Sequence, residues 1–442
     1  MHTRPKERLE WIRAPQASLE HWDRLAAFAA EVRRDGLARV LVCGMGGSSL
    51  APRVLAASFG APHVQVLDST DPAAVLAAEH AGELDRTLFL ITSKSGTTVE
   101  TLAFYRYFAA RARPEQFVAI TDPGTPLERL ARERGFRAVF SHPADVGGRY
   151  AALTVVGMLP AALLEADGRA LLERALALDV AGAKALGERL ADAARAGRDK
   201  LVLRPPTRVA GLAAWIEQLV AESAGKDGRG VIPVVDDPDA AHRSDAEVVT
   251  DFAADPLDLG AEFLRWEYAT VELCHRLGVN AFDQPDVEAA KTYARAELER
   301  PAGAGEPALP TLRPAELGRI ARPRDYLAVL AYLPPLRAVE AHLQQVRAAW
   351  GRALDCATTL GFGPRYLHST GQLHKGGPDT GLFLVITAAD AEDAEIPETG
   401  RTFGQLKRAQ ALGDIRALLG KGRRVAHVHL RDSAELEQLA LV

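Results

Sequence analysis

The sequence predicts an α/β protein with two domains, each a mainly parallel sheet flanked by helices, and three observations carry that prediction. Short runs that are apolar throughout alternate with longer helical patterns, and strands without alternation belong to a parallel sheet covered on both faces. Several of these runs end in Gly, Ser or Thr just before a helix, where sheets of this kind place their ligand-binding turns. At 442 residues the chain is longer than one core usually serves, so two domains are the natural division.

The elements follow in order. Residues 39–44 (RVLVCG), 64–68, 87–93 (TLFLITS), 116–121 and 137–141 read as buried strands, with helices at 50–58, 97–111 and 126–134. They form a first domain over 33–169, preceded by a helical segment at 1–32. The alanine-rich stretch 170–198 reads as a helical linker to a second domain at 199–442. Its candidate strands, 200–203, 231–235, 326–333, 382–387 and 425–430, are less regular. A polar stretch at 236–245 and a Pro/Gly-rich one at 301–314 have the composition of loop excursions. No short-period repeat is visible.

Composition narrows the function. A net charge of −5 argues against a nucleic-acid surface, so any cationic site for an anionic ligand must be local. Cys43, Cys274 and Cys356 fall in no CxxC spacing, which excludes a disulfide scaffold and a cysteine zinc site and fits a reducing cytoplasm. The start, MHTRPKERLEWIRAP, lacks the apolar core of a signal peptide. No apolar run reaches the ~18 residues needed to span a bilayer. There is no HExxH, and His427 and His429, on a predicted strand, read as structural. Neither a metal nor a cofactor is expected.

Two strand-to-helix turns suit a phosphorylated sugar. Gly44-Met45-Gly46-Gly47-Ser48-Ser49 brings backbone close to a ligand at a helix N-terminus. It partly mimics a dinucleotide fingerprint, with Asp68 near the end of the next strand, but Ser49 stands at the third glycine position. The second turn, Thr92-Ser93-Lys94-Ser95-Gly96-Thr97-Thr98, gathers hydroxyls, one lysine and one glycine. A helix cap needs only one such hydroxyl. A terminal phosphate monoester uses several, with Lys94 adding charge.

Three further segments carry acid–base chemistry. In Trp215 to Lys226, Gln218 and Glu222 share a helix face while Glu217 points elsewhere. Glu222 lies in the last turn, where the helix dipole disfavours a carboxylate by ~0.3–1 kcal/mol, a useful direction for a general base. Arg149, after Gly147-Gly148, projects a fixed charge able to stabilise an enediolate oxygen. The segment Leu367 to Pro378 holds His368, His374 and Lys375, and histidine suits the opening of a sugar ring at neutral pH.

These phrases resemble the phosphoglucose isomerase family, built from two sugar isomerase domains: GMGGSS, TSKSGTT, VGGRY, EQLVAESAGK and LGVNAFDQPDVEAAK, in that order over about 44 to 291. The C-terminal phrases FGPRYLHSTGQLHKGGP and FGQLKRAQALGD look like the isomerase portion of transaldolase/isomerase fusions. The resemblance implies a metal-independent enzyme that interconverts glucose 6-phosphate and fructose 6-phosphate through a cis-enediolate. Ser93, Lys94, Ser95, Thr97 and Thr98 would hold phosphate; Gly47, Ser48 and Gln218 would line the sugar pocket. Arg149 would stabilise the enediolate and Glu222 would move the proton. The ring-opening histidine follows a Gly-Gln pair in the family; here Leu373 intervenes, so His374 takes the role with a one-residue shift and His368 is the fallback. The family's lysine in a Leu-Gly-Lys phrase is replaced by Asp414, leaving Lys375 or Lys407 as substitutes. A homodimer is implied, with the histidine reaching in from the neighbouring subunit, and association with a transaldolase is a further expectation.

Rival functions remain distinguishable. A phosphomannose isomerase would turn over mannose 6-phosphate. A sugar-phosphate sensor would keep the phosphate turn without the base, and a reductase would bind nicotinamide.

Overall fold

The first sheet is a row of parallel strands in the order β2-β1-β3-β4-β5, made by β1 (Arg39–Gly44), β2 (Val64–Leu67), β3 (Thr87–Thr92), β4 (Phe117–Thr121) and β5 (Ala138–Ser141). The computed structural model describes residues 9–237, 239–300, 308–432 and 435–439. Residues 1–8 of the predicted N-terminal segment and 301–307 of the predicted excursion lie outside them. Strands β1, β3 and β4 are buried at every position. Val40, Val42, Leu88 and Leu90 feed one apolar cluster, whereas Leu41, Cys43, Phe89 and Ile91 feed another. Two apolar faces leave no position for a polar residue, which is why the sequence shows no alternation.

Register fixes where the turns emerge. Gly44 at the end of β1 lies opposite Thr92 at the end of β3. The two motif turns therefore leave the same carboxyl edge side by side, at the switch point where connections part to opposite faces of the sheet.

The rest of the chain builds two more parallel sheets. Strands β6 (Lys200–Leu203), β7 (Ile232–Val234) and β8 (Ala246–Val249) pair as β7-β6-β8. A four-stranded sheet follows from β9 (Tyr326–Tyr332), β10 (Ala357–Phe362) and β11 (Gly381–Ala388). After a short antiparallel hairpin of β12 (Glu395–Ile396) and β13 (Arg401–Thr402), β14 (Arg424–Leu430) completes it as β10-β9-β11-β14. That order repeats the β2-β1-β3-β4 part of the first sheet, a kinship absent from the residues themselves. Strands β8 and β10 of the parallel sheets escaped the sequence pattern, as did the short hairpin of β12 and β13. Strand β10 carries Thr358, Thr359 and Gly361, so it lacks a continuous apolar run, and β8 sits directly behind the polar stretch 236–245.

The stretch read as a linker is core. Its helices, Gly168–Leu176 and Val180–Arg195, bury Leu171, Leu172, Leu186 and Leu190 in the same cluster as Phe263, Trp266 and Leu273 of the helix Leu259–Leu277. The first helix, Glu10–Arg34, adds Trp11, Trp22 and Leu25 to that cluster. Among the described residues no helix is long and apolar enough to cross a membrane.

Candidate active site

The glycines of the first turn serve contact as much as ligand approach. Gly46 has φ +55°, and a Cβ there would lie 2.5 Å from the His368 carbonyl oxygen and 2.9 Å from Gln218 Nε2. A Cβ on Gly47 would lie 2.0 Å from the Gly148 carbonyl oxygen. Only glycine lets this turn meet the Gly147-Gly148-Arg149 turn, the helix Leu212–Ala224 and the segment around His368. Four motifs scattered over the sequence thus converge.

In the second turn the hydroxyls bond within the turn rather than cap the following helix. Thr98 occupies the N-cap of the helix Val99–Ala109 but makes no capping hydrogen bond. The Ser93 and Thr98 hydroxyls pair at 2.8 Å and those of Ser95 and Thr97 at 2.9 Å. Ser95 and Thr97 are exposed. The first amides of the helix are left for another acceptor.

Lys94 corrects the expectation. Its Nζ donates to Asp122 Oδ2 at 2.5 Å and to the Ala144 carbonyl at 2.7 Å, so its ammonium is not aimed at those hydroxyls. Asp122 also pairs with His142 Nδ1 at 2.8 Å. Burial opposes the charge on Asp122, but hydrogen bonds from His142 and Lys94 prevail and hold its carboxyl below the usual range. Lys94 braces the turn through Asp122 and the Ala144 carbonyl.

Glu222 and Gln218 share a face of the helix Leu212–Ala224, and both are buried. Gln218 Nε2 donates to Glu222 Oε2 at 3.0 Å and to the His368 carbonyl at 2.9 Å. Arg149 Nη1 approaches Glu222 Oε1 at 3.1 Å. The guanidinium is held from every other side. Nε donates to Ser223 Oγ at 2.7 Å, Nη1 to Gln284 Oε1 at 2.7 Å, and Nη2 to the carbonyls of Ala281 at 2.6 Å and Asp283 at 3.2 Å. A charge so anchored is preorganised. Glu217 does point elsewhere: it makes no contact with this group, and burial pushes its carboxyl up to about 7.

The two histidines lie in different surroundings. His374 is 2% exposed, its ring lies 5.2 Å from Phe383 and 6.0 Å from Tyr366, and its Nδ1 is buried without a partner. Burial, followed by the charges of Lys375 and Arg423, keeps it well below the ordinary imidazole range. The short helix Gly371–Gly376 turns Leu373 and His374 into the core of the second sheet, so the one-residue shift carries His374 away from the turns. His368 is the histidine among them. Its Nε2 is 2.9 Å from Glu100 Oε1 in the first turn of the helix Val99–Ala109, and its carbonyl takes Gln218. Both contacts lie within one chain.

Neither substitute lysine reaches this group. Lys375 is buried against Asp414, Nζ to Oδ1 2.5 Å, and Tyr366 donates to the other oxygen of Asp414 at 2.6 Å. Lys407 donates to Asp71 at 2.7 Å and to Asp390. It lines a separate cavity of ≈ 300 Å³ with Tyr332, Thr387, His427 and His429, in which the Thr387 hydroxyl lies 2.9 Å from each imidazole. Among the described residues no His/Cys/Asp/Glu group has the geometry to hold a metal.

Sequence reasoning missed Glu100, Gln284, Lys291 and Gln410. Gln284 and Lys291 stand inside the phrase LGVNAFDQPDVEAAK, which was informative before any role was attached to it. Glu100 looked like an ordinary first-turn acid favoured by the helix dipole. Its carboxyl is disfavoured by burial, yet the charge and hydrogen bond of His368, with Lys291's charge, hold it below the usual range. Gln410 stands inside the phrase FGQLKRAQALGD, where nothing local marks it from its neighbours.

The fold is an α/β architecture of parallel sheets flanked by helices, with a hydroxyl-rich turn at a switch point of the first sheet. A solved glucose-6-phosphate isomerase from Chlamydia trachomatis shares the fold at a TM-score of 0.53 and 19% identity, over 64% of this chain and 73% of that one. Residues 29–194 match the family model "Phosphoglucose isomerase". Glucose-6-phosphate isomerases of Synechococcus sp. (strain JA-3-3Ab) and Rubrobacter xylanophilus are 33% and 31% identical over 262 and 255 residues, 49% and 50% of this chain. These matches make the chain similar to phosphoglucose isomerases over residues 29–194 and over about half of its length. It spans about half the length of the curated relatives it matches, 48% and 58% of those two.

Proposed function

We propose that the chain interconverts glucose 6-phosphate and fructose 6-phosphate. The observation that supports this most is the hydrogen-bonded line from Glu222 through Gln218 and the His368 carbonyl to Glu100. It ties a buried carboxylate to the helix that begins at the hydroxyl-rich turn.

The phosphate docks on the turn, accepting from the hydroxyls of Ser93, Ser95, Thr97 and Thr98 and from the amides of the following helix. Backbone of the Gly46-Gly47-Ser48 turn lines the sugar. His368, oriented by Glu100, gives its proton to the ring oxygen as the ring opens, and the O1 hydroxyl loses one to form the aldehyde. Glu222 then removes the C2 proton. Electrons from that bond form the C1–C2 double bond, and O1 becomes an oxyanion facing Arg149. Return of the proton to C1, with transfer of the O2 proton to O1, gives the ketose. One carboxylate serves both carbons because they lie on one face of a planar cis-enediolate. Arg149 supplies the fixed positive charge at the oxyanion, so the route is metal-independent.

The test is direct. Purified protein given fructose 6-phosphate in deuterated water is followed by NMR, and we expect glucose 6-phosphate carrying deuterium at C2. Binding of the phosphate without turnover overturns the proposal in favour of a sensor, and product from mannose 6-phosphate alone shifts the epimer.

A further inference from the structure

We propose that Gln410 is a positioning residue that acts through Glu100 on His368. The inference rests on the reading of His368 as the ring-opening acid and extends it to a side chain to which the phrase FGQLKRAQALGD gave no role.

Gln410 lies on the helix Phe403–Gly420, which packs against β14 and β9 of the four-stranded sheet, and is buried. Its Nε2 donates to Glu100 Oε1 at 2.6 Å, the same oxygen that His368 Nε2 meets at 2.9 Å. Its own Oε1 accepts from Thr70 Oγ1 at 2.8 Å. A carboxylate only accepts, so the amide must turn its NH2 to Glu100 and its carbonyl to Thr70. Thr70 is itself buried, in the loop after β2. The amide is thereby clamped at both ends, by the first domain's loop on one side and by Glu100 on the other.

Two side chains meet the Glu100 carboxyl, His368 from the segment before Gly371 and Gln410, while Lys291 of the helix Glu288–Leu298, paired with Glu288, adds only a more distant charge. Glu100 is 5% exposed, so water cannot replace a lost donor. Without Gln410, one of the two side-chain hydrogen bonds to Oε1 disappears and burial weighs more heavily against the charged form. The carboxyl then titrates higher and loses a fixed direction, and His368 loses a reliable acceptor for its Nε2 proton. The residue's second partner matters equally, since Thr70 prevents the amide from flipping.

The experiment uses the full chain and Gln410→Met, which keeps most of the side-chain volume. Carbon-13 NMR of the Glu100 carboxyl, assigned with Glu100→Gln, should titrate roughly one unit higher in the variant. Turnover should fall roughly tenfold with KM within about twofold, the mark of an effect on proton transfer rather than on phosphate binding. Gln410→Met combined with Glu100→Gln should be no slower than Glu100→Gln alone. Should Gln410→Met fail to fold, Thr70→Val releases the amide without leaving a cavity and should move the same titration in the same direction. An unmoved Glu100 titration, or losses that multiply in the double variant, overturns the proposal. Absence of turnover in the unaltered chain sinks the isomerase reading instead and leaves the carboxyl titration to decide this one.

Discussion

Glu222→Gln separates chemistry from binding more sharply than any other change here. The amide is isosteric, so Gln218 Nε2 can still donate to its carbonyl oxygen. What disappears is the ion pair at 3.1 Å with Arg149 and the ability to hold a proton. Removing one partner of a buried pair can cost ~3–5 kcal/mol when the other charge is stranded. Arg149 is not stranded, because Ser223, Gln284 and the Ala281 and Asp283 carbonyls remain. The stability loss should therefore be nearer ~1–2 kcal/mol, a few degrees in Tm for a chain of this length. Loss of a positioned general base costs ~10²–10⁴ in rate, or ~3–5 kcal/mol in activation free energy. The assay couples glucose 6-phosphate formation to its dehydrogenase and reads nicotinamide reduction at 25 °C, with sugar-phosphate affinity measured by calorimetry. We expect kcat lower by about three orders of magnitude and Kd within about threefold. Turnover within tenfold of the unaltered chain refutes the assignment of Glu222 as the base.

Three other outcomes follow from the geometry. His368→Ala should slow turnover by roughly a hundredfold on the ring-closed sugar, whereas His374→Ala should lower Tm through a core cavity and leave kcat of the folded fraction within about threefold; the reverse ranking of kcat restores His374 as the acid. Gly47→Ala should abolish activity or folding, since its Cβ would meet the Gly148 carbonyl at 2.0 Å, and a fully active variant would show that the two turns do not touch. Glu217 binds its proton more tightly in the folded chain, from 4.5 up to about 7. Its cost to stability is thus absent below the unfolded value, grows between the two, and is complete above about 7. Partial exposure keeps that cost near ~1 kcal/mol, so Glu217→Gln should raise Tm at pH 8 and not at pH 4; an equal gain at both values rules out the titration.

Much of the first sheet could be read from residues because each strand there is buried on both faces. RVLVCG and TLFLIT carry no polar interruption, and their last residues sit at the switch point by virtue of the pairing of Gly44 with Thr92. The second half resisted for an opposite reason. Strand β10 is held in place by Thr358, whose N–H and hydroxyl both donate to Asp237 at 2.9 and 2.8 Å, and such long-range polar satisfaction leaves no periodic signal. That Glu222 and Gln218 share a helix face was legible because helix spacing is a local property, and the structure brings Arg149 to Glu222. The charge of Lys94 was misassigned because a competing partner, Asp122, lies 28 residues away in sequence.

The histidines show what local reasoning lacks. His368 and His374 stand six residues apart in one segment, with similar neighbours in sequence, yet one ring meets Glu100 and the other meets Phe383. Their fates are decided by where Gly46 and Gln218 accept the His368 backbone and by how the short helix Gly371–Gly376 turns inward. The proposed acid, base and anion seat therefore come from three separate packing units. They are joined by single hydrogen bonds at His368, Gln218 and Glu100 rather than by a shared element. A small displacement of the segment around His368 would break two of those links together: the Gln218 bond to its carbonyl and the Glu100 bond to its ring. Activity in this chain should accordingly be lost at lower denaturant than the sheets themselves, and a cooperative unfolding signal that coincides with loss of turnover would show instead that the segment and the sheets behave as one unit.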